Sequence, residues 1–153
     1  MTDSEKTERI NPADGRITNI LMRHWGNIRG TRVLPAESEL DPAILEGILD
    51  NCFLIRAEGI PEGKYHYKYL GKNVMNAYGS DLTKRQGNDK ENPLTYKKKI
   101  EQVLESKLPV IDEGEFVNVQ GHLVKYRLCL VPLGTGDKVD SILGGMRFKI
   151  IEK

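Results

Sequence analysis

The tightest constraint on the fold lies in the last third of the chain. Between Pro109 and Ile150 three strand candidates follow one another, Pro109 to Val119, His122 to Val131 and Val139 to Ile150. They are separated by Gln120-Gly121 and by Leu133-Gly134-Thr135-Gly136-Asp137, short glycine-bearing links that suit hairpin turns, so neighbouring segments are expected to pair antiparallel. Alternation places Val124, Tyr126, Leu128 and Leu130 on one side of the middle segment and Ile142, Met146, Phe148 and Ile150 on one side of the last. Such a meander has to bury that side, and the upstream residues must supply the cover.

Upstream, Ile17, Ile20, Leu21, Trp25 and Ile28 recur at helical spacing, one apolar stripe on a helix that should stop near Gly30. Asp41-Pro42 offers a capping side chain followed by proline at the first helical position, and Ile44, Leu45, Ile48 and Leu49 form the expected buried face of a second helix. Cys52 to Ala57 is a short apolar run, and Tyr65 to Leu70 alternates aromatic with mostly polar residues, so both read as strands around a Gly59-Ile60-Pro61-Glu62-Gly63 loop. Lys72 to Tyr78 reads as a short helix stopped by Gly79. A polar loop over 81–93 leads to a third helix from Leu94 to about Ser106, burying Tyr96, Ile100, Val103 and Leu104. Two groups of strands around a helical insert predict an α+β domain: one five-stranded antiparallel sheet with helices over one face, preceded by a helical extension.

Composition narrows the function classes. The 153 residues carry 23 Lys+Arg against 22 Asp+Glu, a formal charge of +1, which argues against a wholesale polyanion binder. Mean hydropathy is -0.47, and no apolar run approaches the roughly 20 residues of a membrane-spanning helix. The length suits one domain. Cys52 and Cys129 are too few for a disulfide scaffold and form no C-x-x-C pair, so they read as reduced, buried residues in a cytoplasmic protein. Residues 1–16 are polar, with no secretory signal pattern, and are expected to be a flexible tail.

The order of two strands, a helical crossover and three strands resembles a PAS domain. The run Tyr67-Lys68-Tyr69-Leu70-Gly71-Lys72-Asn73-Val74-Met75-Asn76-Ala77-Tyr78-Gly79 is similar to the PAS segment in which the second strand gives way to a short helix ending in aromatic-Gly. Trp25 with Arg29, Leu34-Pro35, Asp41-Pro42 and Leu49 look like the lead-in of small stand-alone PAS-like proteins of alphaproteobacteria. The stretch Tyr126 to Leu133, with Asp140 and Leu143-Gly144, is similar to that family's closing strands. The resemblance runs from about residue 20 to residue 150 and departs at Thr83, where a second glycine is common, and at Lys68, where arginine is common. It implies a sensory or interaction domain laid out as a helical extension over 17–50 and a PAS-like domain over 51–153, with no particular chemistry.

Each candidate site competes with a plainer role. His24, His66 and His122 fall in unlike settings with no nucleophile motif beside them, so no catalytic residues are assigned. His24 lies on the apolar stripe and reads as a hydrogen-bonded interface histidine; His122, a conceivable haem ligand by analogy with some PAS domains, reads as a hairpin-end residue. Asn51-Cys52 echoes the reactive-cysteine motif of flavin-binding light sensors, but there the thiol sits on a helix after the second strand, whereas Cys52 opens the first. Alternation puts Tyr65, Tyr67 and Tyr69 on one side of their strand, and with Met75, Tyr78, Tyr126 and Met146 they make the candidate small-molecule pocket. Between Lys84 and Lys99 six bases face two acids, a patch best read as the solvated side of the third helix, so no nucleic-acid or membrane partner is expected.

The first helix offers a partner surface. Its stripe of Ile17, Ile20, Leu21, His24, Trp25 and Ile28 is expected either to pair two subunits in a homodimer or to cap its own sheet. Only three residues follow Ile150, so the expectation is a sensor or adaptor, with no required cofactor and no output domain, that binds a small ligand or a protein and signals through a partner. The alternative is a small ligand-processing enzyme on the same scaffold, which a convergent acid–base pair in the pocket would favour.

Overall fold

A computed structural model describes residues 17–79 and 97–151. Helix α1 spans Ile17–Arg29. A 3-10 turn at Glu37–Glu39 and a short α2 at Pro42–Leu45 lead through a 3-10 segment, Glu46–Asn51, into β1, Cys52–Arg56. Strand β2 is Tyr67–Leu70, α3 Lys72–Tyr78 and α4 Lys97–Ser106. The chain closes with β3 at Val110–Val117, β4 at Leu123–Thr135 and β5 at Lys138–Ile151. All pairings are antiparallel, in the order β2-β1-β5-β4-β3, so the final strand lies between β1 and β4 and joins the two hairpin groups into one sheet.

Each face of that sheet buries its own core. The inner face carries Phe53, Ile55, Leu70, Val124, Tyr126, Leu128, Leu130, Ile142, Met146, Phe148 and Ile150, covered by Val74, Ala77 and Tyr78 of α3 and Ile100 and Val103 of α4. The crossover helices therefore cover one face, as the sequence predicts. The outer face carries Cys52, Cys129, Val131, Leu133 and Leu143, covered by Ile17, Leu21 and Trp25 of α1 with Leu45 and Ile48. Two adjacent glycines in β5 let both layers approach one strand. A Cβ on Gly144 would meet the Phe53 ring at 2.2 Å, and one on Gly145 would meet Leu21 Cδ1 and Ile17 Cγ2 at 2.4 and 2.6 Å. Any larger residue at either position forces a packed side chain to move.

The structure corrects several local expectations. The second helix is a single α turn, with Asp41 Oδ1 accepting from the Ala43 N–H at 2.9 Å, followed by 3-10 winding. With three residues per turn, the buried line becomes Leu45, Ile48 and Asn51, and Ile44, expected in the core, is 46% exposed. The aromatic alternation of β2 breaks, because Leu54 pairs with Tyr69 and Ile55 with Tyr67, leaving Lys68 as an extra residue of bulge type. Strand β4 continues past Val131 to Thr135, so only Gly136-Asp137 turn the chain into β5. The described part of the third helix begins at Lys97. Tyr96, Thr83, the basic residues Lys84, Arg85 and Lys90, and the tail over 1–16 lie outside the described residues.

Candidate functional site

Six of the seven candidate pocket residues meet on the inner face. Tyr65, Tyr78, Tyr126 and Met146 are buried in one cluster, and Tyr67 and Met75 pack on it half-buried. The rings are in contact along two edges: Phe53 meets Tyr67 edge-on at 5.9 Å, and Phe116 lies 5.3 Å from Tyr78 and 5.9 Å from Tyr126. The Tyr126 hydroxyl donates to Asp112 Oδ2 at 3.0 Å and passes over Gly114, whose missing side chain makes the room. Tyr69 is the exception. The bulge at Lys68 turns it to the outer side, where its hydroxyl donates to the Leu49 carbonyl at 3.0 Å, so the three tyrosines do not share a wall. Partial burial, with Asp50 nearby, pushes the Tyr69 hydroxyl above its ordinary range.

On the outer face the helical extension is fastened to its own sheet. Trp25 Nε1 donates to the Pro132 carbonyl at 2.6 Å, and Gly134 N–H donates to the Pro35 carbonyl at 2.8 Å. His24 Nε2 accepts from the Asp41 N–H at 3.0 Å, so that nitrogen carries no proton. Glu37 accepts from Lys68 Nζ at 2.8 Å and from the buried Ser141 hydroxyl at 3.1 Å, which gives the bulged lysine its role. Ile17, Leu21, His24 and Trp25 are all under 5% exposed. Of the two expected uses of the stripe, these four side chains cap the chain's own sheet, and Ile20 and Ile28 stay half-buried.

Two buried asparagines tie separate elements together, and sequence reading missed both because asparagine beside a turn signals only punctuation. Asn51 Nδ2 donates to the Met146 carbonyl at 3.0 Å while its oxygen accepts from Asn73 at 2.9 Å. Asn118 Nδ2 donates to the Ala77 carbonyl at 3.2 Å, and its oxygen accepts the N–H groups of Gln120 and His122 at 2.9 and 3.0 Å. Asn118 therefore ties the β3–β4 hairpin to the end of α3.

The three histidines do not converge: His24 is on α1, His66 precedes β2 and His122 is at the β3–β4 turn. Among the described residues no group of three or more His, Cys, Asp or Glu side chains is placed to hold a metal. No described helix is long and apolar enough to cross a membrane. Cys52 and Cys129 flank Gly145 in register on the outer face, two strand spacings or roughly 10 Å apart, beyond disulfide reach. Burial pushes both thiols up to about 12. Helix α3, which follows β2, contains no cysteine, so these residues do not fit the thiol chemistry of flavin light sensors. A cleft of about 910 Å³ is a surface feature of mixed charge lined by Glu37, Arg56, Lys68, Lys138 and Asp140 among others, and none of the candidate tyrosines lines it.

Comparison with known proteins agrees with this architecture. No curated protein matches the sequence. Among solved structures, the dark state of the Aureochrome1 blue-light photoreceptor LOV domain superposes with a TM-score of 0.52 at 11% identity, covering 67% of this chain and 77% of that one. A light-oxygen-voltage domain studied with a flavin analogue gives 0.52 at 16%, covering 72% and 84%. The PAS domain of the fruit-fly ELK potassium channel gives 0.50 at 17%, covering 68% and 89%. At such identities the likeness concerns fold alone. The family model described as PAS domain matches residues 14–147, nearly the whole length, and the chain therefore belongs to the PAS-domain family.

Proposed function

We propose that this chain is a sensory PAS module that takes its input at the inner-face tyrosine cluster and passes it through α1 to a protein partner in the cytoplasm. The observation that carries the reading is the glycine pair in β5. Phe53, which contacts Tyr67 of the inner cluster, rests on Gly144, while Ile17 and Leu21 of α1 rest on Gly145. A change of packing among the tyrosines thus reaches the helix across the thickness of one strand, with no intervening side chain to absorb it.

The input is a small molecule with an apolar body and a hydrogen-bonding group. Tyr67 and Met75, half-buried at the rim of the cluster, are where it first makes contact. No acid–base pair converges there among the described residues, which favours sensing over ligand processing. The test is native mass spectrometry and an absorption spectrum of the purified protein, followed by a thermal-shift screen of small aromatic and acyl compounds. A retained or stabilising compound whose effect is lost in Tyr67→Ala supports the reading; a compound bound equally well by Tyr67→Ala places the input elsewhere and overturns it.

A further inference from the structure

Helix α1 and the segment after it are joined by a hydrogen bond in which an imidazole is the acceptor. His24, 4% exposed in the outer core, receives the Asp41 N–H on Nε2 at 3.0 Å. Asp41 in turn organises α2: its Oδ1 accepts from the Ala43 N–H at 2.9 Å, and its carbonyl accepts from the N–H groups of Ile44 and Leu45. The single turn of α2 thus hangs from His24. The bond is buried on the imidazole side and open on the other, because Asp41 is exposed, so water and protons reach its edge. Imidazole is the side chain whose charge ordinarily changes between pH 5 and 8. A proton added to Nε2 turns the acceptor into a donor, and two N–H groups then face each other where one hydrogen bond stood.

We propose that His24 is a proton-sensing site, at which a proton on Nε2 releases segment 37–45 from α1. The surrounding charges do not hold the segment in place. Asp41 contributes the carboxylate at α2, which draws a proton toward the imidazole, and reaching for it costs Ala43 its cap. Glu37 and Glu39 in the preceding turn are engaged by Lys68 and Arg32, and Glu46 stands at the far end of α2. Strands β4 and β5 bring Cys129, whose thiol burial keeps neutral, then Arg127 and Arg147 past Gly145 at the Ile17 end, with Lys125 and Lys149 beyond them. At their turn lie Lys138 and Asp140, the latter accepting from Thr135. The helix itself adds Arg23 and Arg29, and Arg29 lies over the Trp25 ring. The released state is the one that takes up the proton, so acid favours release and neutral pH the latched form. Release bares Leu40 and Leu45, which pack on the outer cluster, beside α1. The site lies across the sheet from the tyrosine cluster and does not use it, so the two proposals can fail separately.

The test is residue-resolved amide exchange on the full chain at about pH 7.5 and 5.5, divided by the intrinsic rate at each pH, with the imidazole nitrogen shifts of His24 read on the same samples. Carboxylates titrate ordinarily at about 4, so they stay largely ionised across this interval. The amides of Leu40, Asp41, Ala43, Ile44 and Leu45 are expected to lose protection at least about fivefold more than those of β4 and β5, in step with protonation of His24. His24→Gln sets a carboxamide oxygen where Nε2 stands and does not titrate, so it should remain latched at both pH values. His24→Leu offers no acceptor and should be released at both; should it fail to fold by circular dichroism, the glutamine variant decides alone. Protection that does not change with pH, an equal response in His24→Gln, a loss shared equally by the sheet, or a folded His24→Leu that stays protected overturns the proposal.

Discussion

Gly145→Val puts the two-sided use of strand β5 to a quantitative test. The new Cβ falls 2.4 Å from Leu21 Cδ1 and 2.6 Å from Ile17 Cγ2, two side chains each 1% exposed. Ile17 is β-branched and stiff at χ1, so the helix itself has to shift. Complete undocking would re-expose Ile17, Leu21 and Trp25 at an upper limit of about 5–8 kcal/mol, so a partial shift is the cheaper response. Overpacking costs about 1–3 kcal/mol, and removing a strand-interior glycine returns about 0.5–1 kcal/mol. The net expectation is a loss of about 1–2 kcal/mol, or about 3–6 °C in Tm for a chain of this length. Trp25, the sole tryptophan, lies on α1 with its indole N–H on Pro132, so its emission reports the shift directly as a move to longer wavelength. Adding Leu21→Ala makes room, and the double variant should be less destabilised than the sum of the singles by about 1 kcal/mol. Unchanged emission with stability within about 0.5 kcal/mol of the parent would refute docking of α1 at Gly145.

Further outcomes follow from the same contacts. Gly144→Ala drives a Cβ into the Phe53 ring on the inner face; it should cost at least as much as Gly145→Val, with a smaller first effect on Trp25 emission, as urea unfolding and fluorescence together will show. Asn118→Ala leaves two N–H groups and the Ala77 carbonyl without their partner and should cost about 1–3 kcal/mol, measured by thermal unfolding. Lys68→Met removes an ion pair whose side chains are each 35% exposed, so the loss should stay below about 1 kcal/mol and shrink with salt. Cys52 and Cys129 should resist thiol reagents until the protein unfolds. Their folded-state thiols sit at about 12, above the ordinary value of 9.0, so the native state holds more protons in that interval; stability is fully present below pH 9 and is lost as pH rises toward 12.

Much of the fold was legible because the relevant signals are local. Glycine-bearing turns fixed the β3–β4–β5 meander, and the spacing of Ile17, Leu21 and Trp25 identified α1 and its buried side. What covers that side was not legible, since an apolar stripe demands burial without naming a partner; the Gly145 gap and the Trp25–Pro132 hydrogen bond show that it is the chain's own sheet. Tyr69 was misplaced because strict alternation assumes an unbroken register, and the extra residue at Lys68 becomes visible only once Leu54 and Ile55 have their partners. Ile44 failed for a related reason, the change from 3.6 to 3.0 residues per turn after Leu45. The opposed pairs Lys125–Lys149 and Arg127–Arg147 appear in sequence only as the alternations Lys125-Tyr126-Arg127 and Arg147-Phe148-Lys149, which the β4–β5 register brings together.

The central claim, that α1 senses the packing of the inner cluster, is tested most directly by hydrogen exchange on Tyr78→Leu. Tyr78 is fully buried on α3, against Phe116, on the opposite side of the sheet from α1. The account predicts that α1 amides lose protection at least about fivefold more than amides of β4 and β5, a sub-global opening confined to the outer helix. Equal loss in α1 and the sheet, or no change in α1, would contradict it.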